Sequence, residues 1–188
     1  MANSNLKFRL ATIDDALQIH TLLTASFRAD DTRENWTADT SINSGYTIPL
    51  EAITTKITNS DSEVLLATDP SNSKSPTAIV ATVGVVKAAP NLARIVNIAV
   101  DGTYQQGGVG RRVLAYAEDY CRRTWGVEKL GLNALSPRKE LMEWYMRCGY
   151  RKTGELTPFG VTHINGAELP DDLCFVEFEK DVDASAAN

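Results

Sequence analysis

The chain has 188 residues, and 19 basic residues against 24 acidic ones leave a net charge of −5. Hydrophobic residues make up 43% and charged residues 23%, which is usual for a folded domain and excludes extensive disorder. The acidic balance argues against a dedicated nucleic-acid binder, whose affinity comes from cationic contacts with phosphate. The length predicts a single domain over residues 1–188, with an ordered core at about 6–180 and a flexible tail at 181–188.

The cysteine pattern bears on the redox environment and on metal binding. The three cysteines are widely spaced and form no CxxC pair, which favours free thiols in a reducing compartment and leaves a zinc site unsupported. The chain has no run of about 18 apolar residues, and its first residues lack the apolar core of a signal peptide. We therefore expect a cytoplasmic protein that binds neither a membrane nor a metal.

The N-terminal third is predicted to form one strand and two helices. A short strand covers residues 6–10, and Thr12-Ile-Asp-Asp15 then has the form of a capping box. Helical spacing predicts one apolar stripe, made of Ile13, Leu17, His20, Leu23 and Phe27. Pro49 suits the first turn of a second helix.

The middle of the chain is predicted to form strands and then a long helix. Strands are expected at residues 64–67, 79–87 and Leu92–Val100, the last two joined by a hairpin turn at 88–91. A glycine-rich turn at 107–110 then leads into a helix that ends near Arg123.

The C-terminal third is predicted to hold a strand at Lys129–Leu135, a helix and two final strands. Ser136 is expected to cap this helix, with Pro137 in its first turn and Gly149 at its end. The final strands are expected at 150–153 and 173–179. The element order predicts an α/β fold with a mixed sheet.

The glycine-rich turn is the segment most informative about chemistry. The amides at the start of a helix have no partner within the helix and carry a partial positive charge, and glycines allow an anion to approach the backbone closely. The turn and the two cations after it, Arg111 and Arg112, therefore predict a site for a phosphate or pyrophosphate. The alternative is a turn that only connects the strand to the helix.

Two other phosphate-binding motifs fit this turn poorly. A P-loop requires Gly-Lys-Ser/Thr, whereas Gly110 is followed by Arg111. A dinucleotide motif requires a third glycine where this chain has Val113. A nucleotide-dependent oxidoreductase is accordingly the less favoured interpretation.

Two motifs of the chain, and the order in which they occur, resemble those of the GNAT superfamily of acetyl-CoA-dependent N-acetyltransferases. The first is Gln105-Gln-Gly-Gly108-Val-Gly110, which follows a strand ending in Asn97-Ile-Ala-Val100. The second is Trp144-Tyr145-Met-Arg-Cys-Gly149-Tyr150, which ends a helix. The resemblance covers residues 6–180.

The resemblance implies a fold and a binding site for acetyl-CoA. The expected fold is α/β, with a central mixed, mostly antiparallel sheet that is flanked by helices and splayed between its fourth and fifth strands, Leu92–Val100 and Lys129–Leu135. The pantetheine arm of acetyl-CoA would lie in this gap. The residues expected to bind acetyl-CoA are Ile98, Ala99, Val100, Gln105, Gln106, Gly107, Gly108, Val109, Gly110, Arg111 and Arg138, the last of which stands where many members have Asn.

The resemblance also implies a mechanism. An amine attacks the thioester directly, an amide near Ile98 holds the oxyanion, and Tyr145 protonates the departing thiolate; the alternative is that Tyr145 only packs. Residues 94–97 contain no carboxylate or imidazole to act as a general base. A water molecule or a residue elsewhere, with His163 as one candidate, would take the proton.

The expected acceptor is a primary amine of a small molecule. The alternatives are a peptide or protein amine, or a non-catalytic acyl-CoA-binding module on the same fold. Specificity is assigned to residues 30–46 and 155–172, where Asp30, Asp31 and Glu34 could attract a cationic amine. The expected assembly is a monomer or a homodimer.

Overall fold

The structure is a computed structural model that describes residues 5–28, 48–72, 75–105, 107–160, 163–164, 167–168 and 171–182. Within these ranges no helix combines the length and the apolar character needed to cross a membrane.

The described part of the chain forms nine strands and four α-helices. The strands are β1 (Lys7–Leu10), β2 (Ser62–Thr68), β3 (Ile79–Ala89), β4 (Leu92–Val100), β5 (Lys129–Leu135), β6 (Arg151–Pro158), β7 (His163–Ile164), β8 (Ala167–Glu168) and β9 (Cys174–Asp181). The helices are α1 (Ala16–Arg28), α2 (Leu50–Thr58), α3 (Val109–Trp125) and α4 (Lys139–Arg147), and short 3₁₀ turns lie at Ile13–Asp15 and Gly102–Tyr104.

Seven strands form one sheet in the order β1-β2-β3-β4-β5-β9-β6. Its neighbours run antiparallel except β4 and β5, which run parallel. This confirms the expected mixed, mostly antiparallel sheet. The strands β7 and β8 form a separate pair that the sequence analysis did not predict.

Hydrophobic clusters lie on both faces of the sheet. On one face, α3 and α4 pack over residues that include Leu65, Val83, Ile95, Leu132 and Phe178. On the other face, α1 and α2 pack over β2, β3 and β4 and bury residues that include Ile19, Leu23, Ile53, Leu66 and Ala99. Side chains alternate between the faces along a strand, so each strand contributes to both layers.

The predicted apolar face of α1 was partly wrong. Leu23 is buried as predicted, but Ile13 is 52% and Leu17 is 66% exposed, and the other buried positions are Ala16, Ile19 and Leu22. Ile13 lies in the 3₁₀ turn before α1, where α-helical spacing does not hold, whereas Leu17 lies within α1 directly after the buried Ala16.

The predicted capping box is confirmed at this 3₁₀ turn. The Thr12 amide donates a hydrogen bond to Asp15 Oδ2 at 2.8 Å, and the Arg9 guanidinium binds the same carboxylate at 2.6 and 2.7 Å. Hydrogen bonds from Arg9 lower the pKa of Asp15 to about 2. One carboxylate thus ties the start of the helical segment to β1.

The start of α4 differs from the prediction. The helix begins at Lys139 with Arg138 as its N-cap, and Ser136 does not cap it. The Ser136 hydroxyl instead accepts a hydrogen bond from the Cys174 amide at 3.4 Å, and the Ser136 amide donates to the Cys174 carbonyl at 2.8 Å. Ser136 therefore joins the end of β5 to β9.

The predicted end of the last strand also differs, because β9 continues to Asp181, which pairs with Lys129. Residues 183–188 of the predicted tail lie outside the described part of the chain.

Candidate active site

A gap between β4 and β5 is the central feature of the site. The two strands pair only at Leu92↔Lys129, Ala93↔Leu130 and Arg94↔Gly131, although β4 continues to Val100 and β5 to Leu135. Beyond Arg94 and Gly131 the inner edges of two parallel strands lack a ladder between them. Unpaired strand edges can accept an extended ligand as an added strand.

A β-bulge bends β4 where it leaves β5. In the pairing with β3, Gly84 faces Val96 and Thr82 faces Ala99, so both Asn97 and Ile98 stand opposite Val83. Asn97 has φ 52°, a left-handed conformation that asparagine tolerates better than most residues. A bulge increases local twist, and this one lies three residues beyond the last pair of β4 with β5, in the stretch where the two strands diverge.

The glycine-rich turn follows β4 directly and starts α3. Gly108 is the N-cap of α3 in a left-handed conformation with φ 75°, and the Arg112 amide donates to the Gly108 carbonyl at 3.2 Å. The amides of Val109, Gly110 and Arg111 come before this first bond of the helix and have no acceptor within it. A Cβ added at Gly108 would meet nothing within 4 Å, so an anion has room to approach.

The turn, the end of β4 and α4 meet at Gly110. A Cβ added there would lie 3.7 Å from Val100 Cγ2 and 3.8 Å from Trp144 Cζ2. The fold thus brings together the two sequence motifs, which are separated by about 35 residues of chain. Arg111 and Arg112 are exposed beside the turn, and the Arg112 guanidinium lies 5.9 Å from the centre of the Phe8 ring.

Part of the backbone of residues 98–100 already forms hydrogen bonds with other side chains of the protein. The Val100 carbonyl accepts long hydrogen bonds from Ser26 Oγ at 3.3 Å and from Gln105 Nε2 at 3.4 Å. Ala99 is buried under α1, whereas Ile98 and Val100 are half-buried on the α3 face. A ligand bound along β4 would have to share the Val100 carbonyl.

Tyr145 is buried near the C-terminal end of α4, with 7% of its surface exposed. Its ring centre lies 5.1 Å from that of Trp144 and 6.1 Å from those of Tyr150 and Phe178. Burial raises the pKa of the Tyr145 hydroxyl to about 12, against a lowering effect of the Arg138 charge. The hydroxyl therefore keeps its proton at neutral pH.

A polar cluster that the sequence analysis missed lies where β4 and β5 separate. Glu177 on β9 accepts hydrogen bonds from Arg94 Nη2 at 2.6 Å, Asn133 Nδ2 at 3.1 Å and Thr157 Oγ1 at 2.9 Å. Burial raises the pKa of Glu177, but the bonds from Arg94, Asn133 and Thr157 together outweigh it, so the pKa lies below the usual value for glutamate. Four strands thus contribute to one ionised cluster.

Some predicted site residues fall outside the described part of the chain. These are Gln106 in the glycine-rich turn, the acceptor-side residues Asp30, Asp31 and Glu34, and the side chain of His163. Their roles stay predictions.

A model of the acetyltransferase (GNAT) family matches residues 19–150 of the chain. A search of curated protein sequences finds no match.

Many solved structures resemble this fold at low sequence identity. Arabidopsis thaliana NAA60, solved with a bisubstrate analogue, is 14% identical with a TM-score of 0.71, and the match covers 96% of this chain and 100% of that one. The spermidine/spermine N-acetyltransferase SpeG of Vibrio cholerae is 16% identical with a TM-score of 0.63, over 95% of this chain and 94% of that one. A GNAT-family acetyltransferase from Staphylococcus aureus Mu50 is 15% identical with a TM-score of 0.62, over 95% and 99%.

Proposed function

Because the chain belongs to the GNAT acetyltransferase family, we propose that it moves the acetyl group of acetyl-CoA to a primary amine of a small molecule, by direct attack in a ternary complex. The observation that carries the proposal is the gap between β4 and β5, which opens beside a glycine-rich helix start. We place this activity in the cytoplasm.

The proposed binding mode uses both parts of the gap. The pantetheine arm would lie along residues 98–100 of β4, and its amides would take the hydrogen bonds that a neighbouring strand would otherwise make. The pyrophosphate would lie against the amides of Val109, Gly110 and Arg111, where the helix dipole favours negative charge. Gln105, Gln106, Gly107 and Gly108 would shape this turn, and Arg138 would add a cation.

The proposed reaction forms a C–N bond and breaks a C–S bond. The lone pair of the neutral amine attacks the thioester carbon, and the amide near Ile98 stabilises the negative charge that develops on the oxygen. The nitrogen then loses a proton, while the sulfur leaves with the bonding electron pair and takes up a proton. We propose that the Tyr145 hydroxyl donates that proton, since it stays protonated at neutral pH.

Two alternatives remain in competition with this proposal. A peptide or protein amine is favoured by the similarity in fold to NAA60, just as a small polyamine is favoured by the similarity to SpeG. A non-catalytic acyl-CoA-binding module is favoured by residues 94–97, where neither a carboxylate nor an imidazole is present to accept the amine proton.

The test is a screen for CoA release from acetyl-CoA over polyamines, arylalkylamines, aminosugars, amino acids and peptide N-termini. Turnover on a small amine, with mass spectrometry showing one acetyl group on nitrogen, supports the proposal. Turnover on peptides alone supports the first alternative. Tight acetyl-CoA binding in calorimetry without turnover on any amine supports the second.

A further inference from the structure

We propose that Glu177 is a positioning residue that sets the opening between β4 and β5 by holding Arg94 across it. The inference rests on the proposed function in that it takes this opening as the acetyl-CoA site. Under this proposal the width of the gap depends on a residue of β9, although β9 does not border the gap.

The path of the Arg94 side chain is the first observation. Arg94 forms the last ladder pair between β4 and β5, with Gly131 as its partner. Its guanidinium passes over β5 to reach Glu177 on β9 at 2.6 Å. A Cβ on Gly131 would lie 3.5 Å from Arg94 Nη1 and 3.7 Å from Arg94 Cγ, which places the Arg94 side chain directly over β5.

The second observation is that Glu177 also holds the strand on the other side of the gap. Asn133 lies on β5 two residues beyond the last pair with β4, and it faces Glu177 in the β5–β9 register. Its amide donates to Glu177 Oε1 at 3.1 Å, while Arg94 donates to Oε2. One carboxylate therefore links β4 and β5 where their own hydrogen bonds stop.

The third observation is that the carboxylate is itself fixed in place. The Glu177 side chain is only 11% exposed, and Thr157 on β6 adds a bond to Oε1 at 2.9 Å. The Arg94 side chain is 33% exposed, so the shielded partner is the carboxylate, and the loss of Arg94 leaves its charge poorly compensated. Arg94 and Glu177 should accordingly act as a unit, and the loss of either should release the same constraint.

The test measures acetyl-CoA affinity by calorimetry in Glu177→Gln, Arg94→Gln and the double variant. Glu177→Gln keeps the size of the side chain and an oxygen that accepts from Asn133 and Thr157, but it removes the charge that holds Arg94. We expect each single variant to raise the Kd for acetyl-CoA about tenfold. The Kd of the double variant should not exceed the higher of the two single-variant values, because both changes remove the same Arg94–Glu177 ion pair.

The matched control is Arg151→Gln. Arg151 pairs with Asp181 at 2.6 Å, so this variant also removes an ion pair to β9, but at an exposed position away from the gap. It should leave the Kd for acetyl-CoA within about twofold of wild type. Should Glu177→Gln fail to fold, Thr157→Val removes one donor to the carboxylate at the exposed strand β6 and should raise the Kd by a smaller factor.

Hydrogen exchange provides a readout that general destabilisation would not reproduce. In Glu177→Gln, the amides of residues 95–98 and 132–135 should exchange faster, while those of β2 keep their wild-type protection. Folded variants that bind acetyl-CoA as the wild type does would overturn the inference and leave the proposed function intact. A raised KM for the amine alone, with acetyl-CoA affinity unchanged, would also overturn it and place Glu177 at the acceptor. A wild-type protein that does not bind acetyl-CoA would overturn the proposed function as well.

Discussion

The hydroxyl of Tyr145 is the group proposed as the acid, and its surroundings determine how readily it gives up a proton. Its pKa of about 12 exceeds the ordinary pKa of a thiol, about 8.5, so complete transfer to a free thiolate would be uphill. The proposed transfer should therefore begin as a hydrogen bond from the Tyr145 hydroxyl that strengthens while charge builds on the sulfur. Because the raised pKa keeps the phenol protonated, its ionisation should not reduce the rate between pH 7 and 10.

Replacing Tyr145 with Phe tests this role at a single atom. The change keeps the ring and its contacts with Trp144 and Phe178, so acetyl-CoA affinity should stay within a few-fold of wild type. General-acid assistance is worth about 10²–10⁴ in rate, and we expect kcat to fall at least tenfold. The measurement is steady-state turnover with a competent amine across this pH range.

The control for that variant is Tyr150→Phe, which removes a hydroxyl from the ring 6.1 Å away in the same cluster. It should keep kcat near the wild-type value. A Tyr145→Phe protein that turns over as fast as wild type at every pH would assign Tyr145 to packing, and a water molecule would then have to protonate the thiolate.

At the level of elements, the two ends of α3 form a natural comparison. Gly108 and Gly126 both have positive φ, 75° and 63°, and a Cβ would meet nothing within 4 Å at either. An alanine at either end should cost about 1 kcal/mol, because an L-residue is strained in this conformation. Only Gly108 belongs to the proposed anion site.

We therefore expect Gly108→Ala and Gly126→Ala to lose similar stability but to differ in binding. Calorimetry should give at least a tenfold weaker affinity for acetyl-CoA in Gly108→Ala, and an unchanged affinity in Gly126→Ala. Urea unfolding supplies the matched stability values. Equal affinities in the two folded variants would count against an anion at this turn.

The strands and helices also show which features of the fold can be predicted from neighbouring residues in the sequence. The strand Leu92–Val100, the strand Lys129–Leu135 and the left-handed residue at Gly149 were predicted correctly, since alternation and glycine chemistry act within a few residues. The buried face of α1 was predicted only in part, because the spacing of apolar residues does not by itself determine which side of a helix packs against the sheet.

The part of the site that sequence could not reveal is the cluster around Glu177. Glu177 and Glu179 occupy equivalent polar positions of one alternating strand, and nothing local distinguishes them. Only the register of β9 against β5 separates their environments, because Glu177 faces Asn133 whereas Glu179 faces Gly131. Pairing between strands that are distant in the sequence cannot be predicted from the residues next to Glu177.

For the whole molecule, the proposed ligand should act as a stabiliser. A ligand that binds only the folded state, at about 100 times its Kd, adds about 2.7 kcal/mol. For a chain of this size that corresponds to a rise of roughly 5–10 °C in Tm. We expect acetyl-CoA to produce this shift in thermal unfolding, and NADH and ATP to produce much less; a larger shift with NADH would favour an oxidoreductase.

The bulge at Asn97 should lower the stability of the protein while it allows acetyl-CoA to bind. Deleting Asn97 would restore plain alternation, with Val96, Ile98 and Ala99 still on their present faces, so the buried clusters would keep their members. It would also remove a left-handed residue that costs about 1 kcal/mol, and β4 could straighten and continue its ladder with β5. The shortened protein should melt at a higher temperature and bind no acetyl-CoA, since the irregularity that weakens the sheet is also what keeps the gap open.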